Sequence, residues 1–192
     1  MAEGNSKIEQ EKKFYQETAA KLGSGNPEVI IRKLNELKDT GTVAILPLIL
    51  DLLASHSTDR VRSEALHLVS DLKDQHCVPV ITEYISRNKD KSYISDLISC
   101  CWQSSLDFSS HLPLFTDCFI LGDYQVAIES FTVIEEMLWK TTETTISICK
   151  KLLSARENEI NTAKKPLYNE LQKLLKEGRS PNQEDYPDMY LQ

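Results

Sequence analysis

Glycine and proline are scarce here, 6 and 7 of 192 residues, which excludes a collagen-like or low-complexity chain. No apolar run reaches the roughly 18–20 residues a bilayer-spanning helix needs. The stretch Met1–Lys21 is charged throughout and lacks the apolar core of a signal segment. No segment sustains strand-like alternation, so essentially no sheet is expected. Gly-x-Gly-x-x-Gly, phosphate-loop, Gly-x-Ser-x-Gly and His-Glu-x-x-His motifs are all missing. Cysteine is sparse and odd in number: Cys77, Cys100, Cys101, Cys118 and Cys149, with no Cys-x-x-Cys. They cannot all pair within one chain, and they read as buried thiols of a reducing, cytoplasmic compartment. His76 precedes Cys77, but no second ligand pair stands at finger-like spacing, so no metal and no cofactor are expected. Positive charge is short as well, with 22 Lys and Arg against 29 Asp and Glu. Residues 92–139 hold seven acids and no Lys or Arg. A phosphate-lined partner would be repelled there, so nucleic acid is excluded as a general ligand.

What remains is ordinary globular material, 41% hydrophobic and 27% charged, of a length suited to one soluble domain without a membrane partner. Its clearest feature is a repeated helical pattern. Ile30, Leu34 and Leu37 stand at i, i+4 and i+7. Val61, Ala65 and Leu68 repeat the spacing, then Ile94, Ile98 and Cys101, then Val126, Ser130 and Val133. First members are 31, 33 and 32 residues apart, a period that signals stacked supersecondary units. A second marker lies between them: Leu46-Pro47-Leu48-Ile49, Val78-Pro79-Val80-Ile81 and Leu112-Pro113-Leu114-Phe115. Proline is tolerated in the first helical turn, where its missing N–H has no partner to lose, so each marker predicts the start of a second helix. Gly41 suits a helix C-terminus, and Ser57, Thr58 or Asp59 an N-cap.

Around Asp59, Val61, Arg62 and Ala65 the chain resembles the HEAT repeat family, whose first helix carries an Asp-x-x-Val-Arg-x-x-Ala type pattern. Pro47-Leu48-Ile49-Leu50-Asp51-Leu52-Leu53 resembles the Pro-started second helix of that family. The resemblance covers about residues 26–140 and is strongest in the first two units. It implies an all-α fold, a short right-handed α-solenoid of about four helix pairs with capping helices at both ends. On this reading residues 1–25 are the N-terminal cap, with Ile8, Phe14, Tyr15, Ala19 and Leu22 as its apolar side. Residues 26–140 are the repeats, and 141–178 a long helical cap that Pro166 kinks or breaks near residue 165. Residues 179–192 are an extended tail. The four histidines, His56, His67, His76 and His111, read as junction or surface residues.

Function is read from what recurs. An acid follows each marker proline by four residues: Asp51, Glu83 and Asp117. Equal offsets place them at equivalent positions on successive second helices, either as a solvated stripe or as a charge-selective groove on the concave face that the HEAT resemblance implies. Eight of the 14 aromatics fall between 93 and 139, mostly as core. Trp102 and Trp139 are the candidate interface anchors. The leading expectation is a non-catalytic scaffold or adaptor that binds a protein or peptide, basic or polar in character. Two alternatives accompany it. The resemblance also admits a HEAT-type enzyme, such as a DNA glycosylase or a bilin lyase, and a structural subunit of a homo-oligomer is the third reading.

Overall fold

The structure is a computed structural model that describes residues 2–54 and 58–177. The junction residue His56, the cap candidate Ser57 and the expected tail 179–192 lie outside the described residues. Ten α-helices, joined by short 3-10 turns, account for the regular structure, and no strand occurs among the described residues. The chain divides into two compact units, Met1–Arg87 with Gln103–Leu106, and Asn88–Trp102 with Asp107–Gln192.

The first unit contains α1 (Ala2–Leu22), α2 (Pro27–Thr40), α3 (Leu46–Ala54), α4 (Asp59–Ser70) and α5 (Cys77–Arg87). Asn26 caps α2 by accepting from the Glu28 N–H at 3.0 Å, with Pro27 at the first helical position. Thr58 is the residue that caps α4, accepting from the Val61 N–H. α1 packs on α2 and α3, α2 on α4, and α3 on both α4 and α5. The Tyr84 hydroxyl of α5 donates to the Leu50 carbonyl of α3 at 3.0 Å. Lys33 is buried, its ammonium 4.8 Å from the Phe14 ring centroid and 3.3 Å from Glu36.

The face of α1 departs from expectation. Leu22 is buried and Ala19 and Phe14 are half-buried, but Ile8 is 63% and Tyr15 40% exposed. α1 has 21 residues against 14 in α2, and a short turn joins them. At about 1.5 Å of rise per residue, the first turns of α1 outrun their neighbour. Gly41 ends α2, though not through a left-handed conformation: its φ is −65°. Its requirement is close approach, since a Cβ there would lie 2.6 Å from the Leu37 carbonyl oxygen.

The second unit contains α6 (Ile94–Gln103, all but its last residue), α7 (Leu112–Leu121), α8 (Tyr124–Met137), α9 (Glu143–Ala155) and α10 (Lys165–Glu177). α7 packs on α8 and α9, and α10 covers α8 and α9. Asp123 and Thr142 cap α8 and α9 through their side-chain oxygens. The C-terminal segment is two helices, and its break begins at residue 156, well before Pro166, which sits in the first turn of α10. The residues between are pinned to α7 by Arg156 and Lys164 side chains, so they do not continue the helix.

The twelve residues of the periodic pattern are all buried. Pro47, Pro79 and Pro113 fall in the first turns of α3, α5 and α7, as the markers predict.

Candidate partner-binding surfaces

The three acids share an offset and nothing else. Asp51, on α3, is exposed and has no ion-pair or hydrogen-bond partner among the described residues. It stands at the rim of a groove of about 410 Å³ in the first unit. Leu22, Ile30, Leu52 and Val61 form the buried floor, and Ala19, Pro27 and Leu48 are partly open. Gly25, the positive-φ residue of the described chain at φ 71°, turns the backbone along one edge. An aliphatic trough with one uncompensated carboxylate suits an aliphatic segment carrying a cation.

Glu83, on α5, is exposed and pairs with Arg87 one turn on, an i, i+4 contact that in solvent contributes about 0–1 kcal/mol. Asp117, on α7, is half-buried and takes both Lys89 and Arg156. Arg156 also forks onto Glu159 through two bonds of 2.7 Å. The absence of Lys and Arg from 92–139 therefore does not leave Asp117 uncompensated: its cations come from just outside that stretch.

Burial works to raise the Asp117 carboxyl pKa, but the hydrogen bonds and charges of Lys89 and Arg156 outweigh it and hold the group below the usual carboxylate range. A folded value below the unfolded one, about 3.9, gives stability that is present above the unfolded value and lost as pH falls through the folded one. Asp117→Asn is expected to cost about 1–2 kcal/mol at pH 7. The gap between the two proteins should close as pH drops below about 4. Thermal midpoints taken from pH 7 to pH 2.5 measure it; a gap constant across that range would mean the pairing does not contribute.

The two tryptophans lie in the second unit. Trp139 is 51% exposed, and the Lys140 ammonium lies 4.8 Å from its ring centroid. Trp102 is 37% exposed at the end of α6, and its indole N–H donates to Glu129 Oε2 on α8 at 2.9 Å. Sequence reasoning singled out the tryptophans but not Glu129, whose importance depends on a contact 27 residues away.

A wider cleft in the first unit, about 640 Å³, has Leu37, Leu46, Ile49, Leu68 and Cys77 in its floor. Lys38 and Lys73 share its rim with Asp71 and Asp74, so its charge is mixed. Among the described histidines, His76 Nδ1 lies 2.7 Å from the exposed Asp74, and burial draws His111 below the usual histidine value. All five cysteines are free and buried, and burial pushes the Cys118 thiol up to about 12. A thiol raised in this way stays protonated and is a poor nucleophile. Among the described residues no group of three or more His, Cys, Asp and Glu side chains is placed to hold a metal, and no helix is long and apolar enough to cross a membrane.

No family model matches the chain, and neither a curated protein nor a solved structure matches it.

Proposed function

We propose that this chain is a non-catalytic protein-interaction module, a scaffold or adaptor that takes a basic, aliphatic segment of a partner into the groove beside Asp51. The architecture we assign to it is a short α-solenoid of HEAT-like helix pairs. The period of 31–33 residues, the proline-started second helices and the packing of α2 on α4 and of α3 on α5 support that assignment. The observation that carries the function is the Asp51 carboxylate, without a partner among the described residues, at the rim of an aliphatic groove. A solvated stripe would need no trough beside it. Electrostatics in such a groove mainly sets selectivity and association rate, while the aliphatic floor supplies affinity.

The test is calorimetric titration of the full chain with an amphipathic lysine–leucine peptide and with its glutamate–leucine counterpart. Wild type should bind the basic peptide, and Asp51→Asn should weaken it by about three- to tenfold while flattening its salt dependence. Equal binding of the basic peptide by wild type and a folded Asp51→Asn protein, at low and high salt, would reject the groove.

A further inference from the structure

The second unit carries a carboxylate that is positioned but not neutralised. Glu129 is half-buried on α8. Two neutral donors orient it: the Trp102 indole N–H at 2.9 Å on Oε2 and the Gln125 amide at 2.6 Å on Oε1. No Lys or Arg pairs with it among the described residues, and none occurs anywhere in 92–139. A carboxylate offers about four lone-pair sites, so about two remain open. The indole that fixes it has solvent on part of its surface, and no cation of the described residues lies over it, unlike Trp139, whose ring faces Lys140. Tyr124 opens α8 one residue before Gln125 and is 51% exposed. This pairing of a partly exposed aromatic ring with a held carboxylate that no described cation neutralises matches one side chain in particular. A guanidinium stacks flat on an indole and donates sideways, in a planar fork, to a carboxylate at the ring's edge. An ammonium can meet either group but has no plane to lay on the ring.

We propose that Trp102 and Glu129, with Gln125 holding the carboxylate, form a seat for an arginine side chain of a partner protein. The seat rests on the reading of the chain as a partner-binding module, but not on the Asp51 groove, which lies in the other unit. Of the seven acids in 92–139, those other than the paired Asp117 draw basic segments in, and the seat selects arginine among them.

The chain has two tryptophans, so its indole N–H groups are two resolvable NMR reporters. The experiment titrates the ¹⁵N-labelled full chain with hexa-arginine and with hexa-lysine, the resonances assigned through Trp139→Phe. Hexa-arginine should shift the Trp102 indole signal saturably and bind about fivefold or more tighter than hexa-lysine. Glu129→Gln should weaken it about tenfold, the loss of one charge-assisted contact. Gln125→Ala should weaken it about two- to threefold by releasing the carboxylate, and it keeps the test open should Glu129→Gln misfold. Asp51→Asn should leave the arginine titration followed at the Trp102 indole unchanged. Equal affinity for the two peptides, a response confined to Trp139, or unaltered binding by a folded Glu129→Gln protein would each overturn the seat. Any of those results beside a working lysine–leucine titration sinks the seat and leaves the groove standing. A tenfold loss in Glu129→Gln beside a groove insensitive to Asp51→Asn does the reverse.

Discussion

Replacing Lys164 with Met should cost about 3–5 kcal/mol of unfolding free energy. Lys164 is only 2% exposed, yet its ammonium donates to three backbone carbonyls, those of Phe119 at 3.1 Å, Ile120 at 2.6 Å and Gly122 at 2.8 Å. These oxygens close α7, where the last carbonyls of a helix have no intrahelical donor. The negative end of the helix dipole favours a cation at the same place. Methionine matches the reach of the side chain but donates nothing, so the carbonyls would be left buried and unpaired, at about 1–3 kcal/mol for each that water fails to reach. Urea unfolding of the two proteins reads the difference. A loss below about 1 kcal/mol would show that the ammonium is replaceable by water and does not hold α7 to the α9–α10 connection.

Phe115→Ala should be of similar size, about 3–5 kcal/mol. Phe115 is fully buried on α7, and its ring meets Phe108 edge-to-face, with centroids 5.9 Å apart and an interplanar angle of 89°. Truncation removes the transfer free energy of the ring, leaves a cavity and also deletes the aromatic pair. Phe115→Leu keeps most of the volume and should lose about 1–2 kcal/mol. Denaturant melts of both variants at constant slope check the ordering. If alanine cost no more than leucine, the site would have to collapse freely around the missing ring, against its close packing.

Much of the helical scaffold was legible in the chain. Leu34, Ala65, Ile98 and Ser130 occupy matching places of the periodic pattern, and each is fully buried. Ser130 shows how strongly position decides: it is polar, its hydroxyl has no hydrogen-bond partner among the described residues, and it is buried all the same. The proline markers located three helix starts because a missing N–H is harmless only in a first turn. The break after α9 was misplaced toward Pro166, because the segment that leaves the helix is held by contacts rather than by a helix breaker. Arg156 reaches Asp117 across 39 residues, and Lys164 reaches Ile120 across 44. Ile8 fits the helical period of α1 but remains exposed, since periodicity reports a face and not whether a neighbour extends far enough to cover it.

The acids divide the two sources of information most clearly. Asp51, Glu83 and Asp117 stand four residues beyond Pro47, Pro79 and Pro113, and that spacing, a matter of local helix geometry, is wholly a property of the sequence. Their charge states in context are not. Glu83 finds Arg87 on its own helix, a pairing that spacing alone permits. Asp117 is compensated by Lys89 and Arg156, 28 and 39 residues away, and Asp51 by no described residue. The same holds for Glu129, which is one acid among seven until Trp102 and Gln125 fix its carboxylate beside a partly exposed ring. Backbone periodicity is written in neighbours a few residues apart, so the sequence alone determined the apolar face of each repeat helix and where three of the helices begin. The Coulomb interaction falls with distance in space and takes no account of distance along the chain. Only the tertiary structure could decide which carboxylates are neutralised by a described cation and which are not.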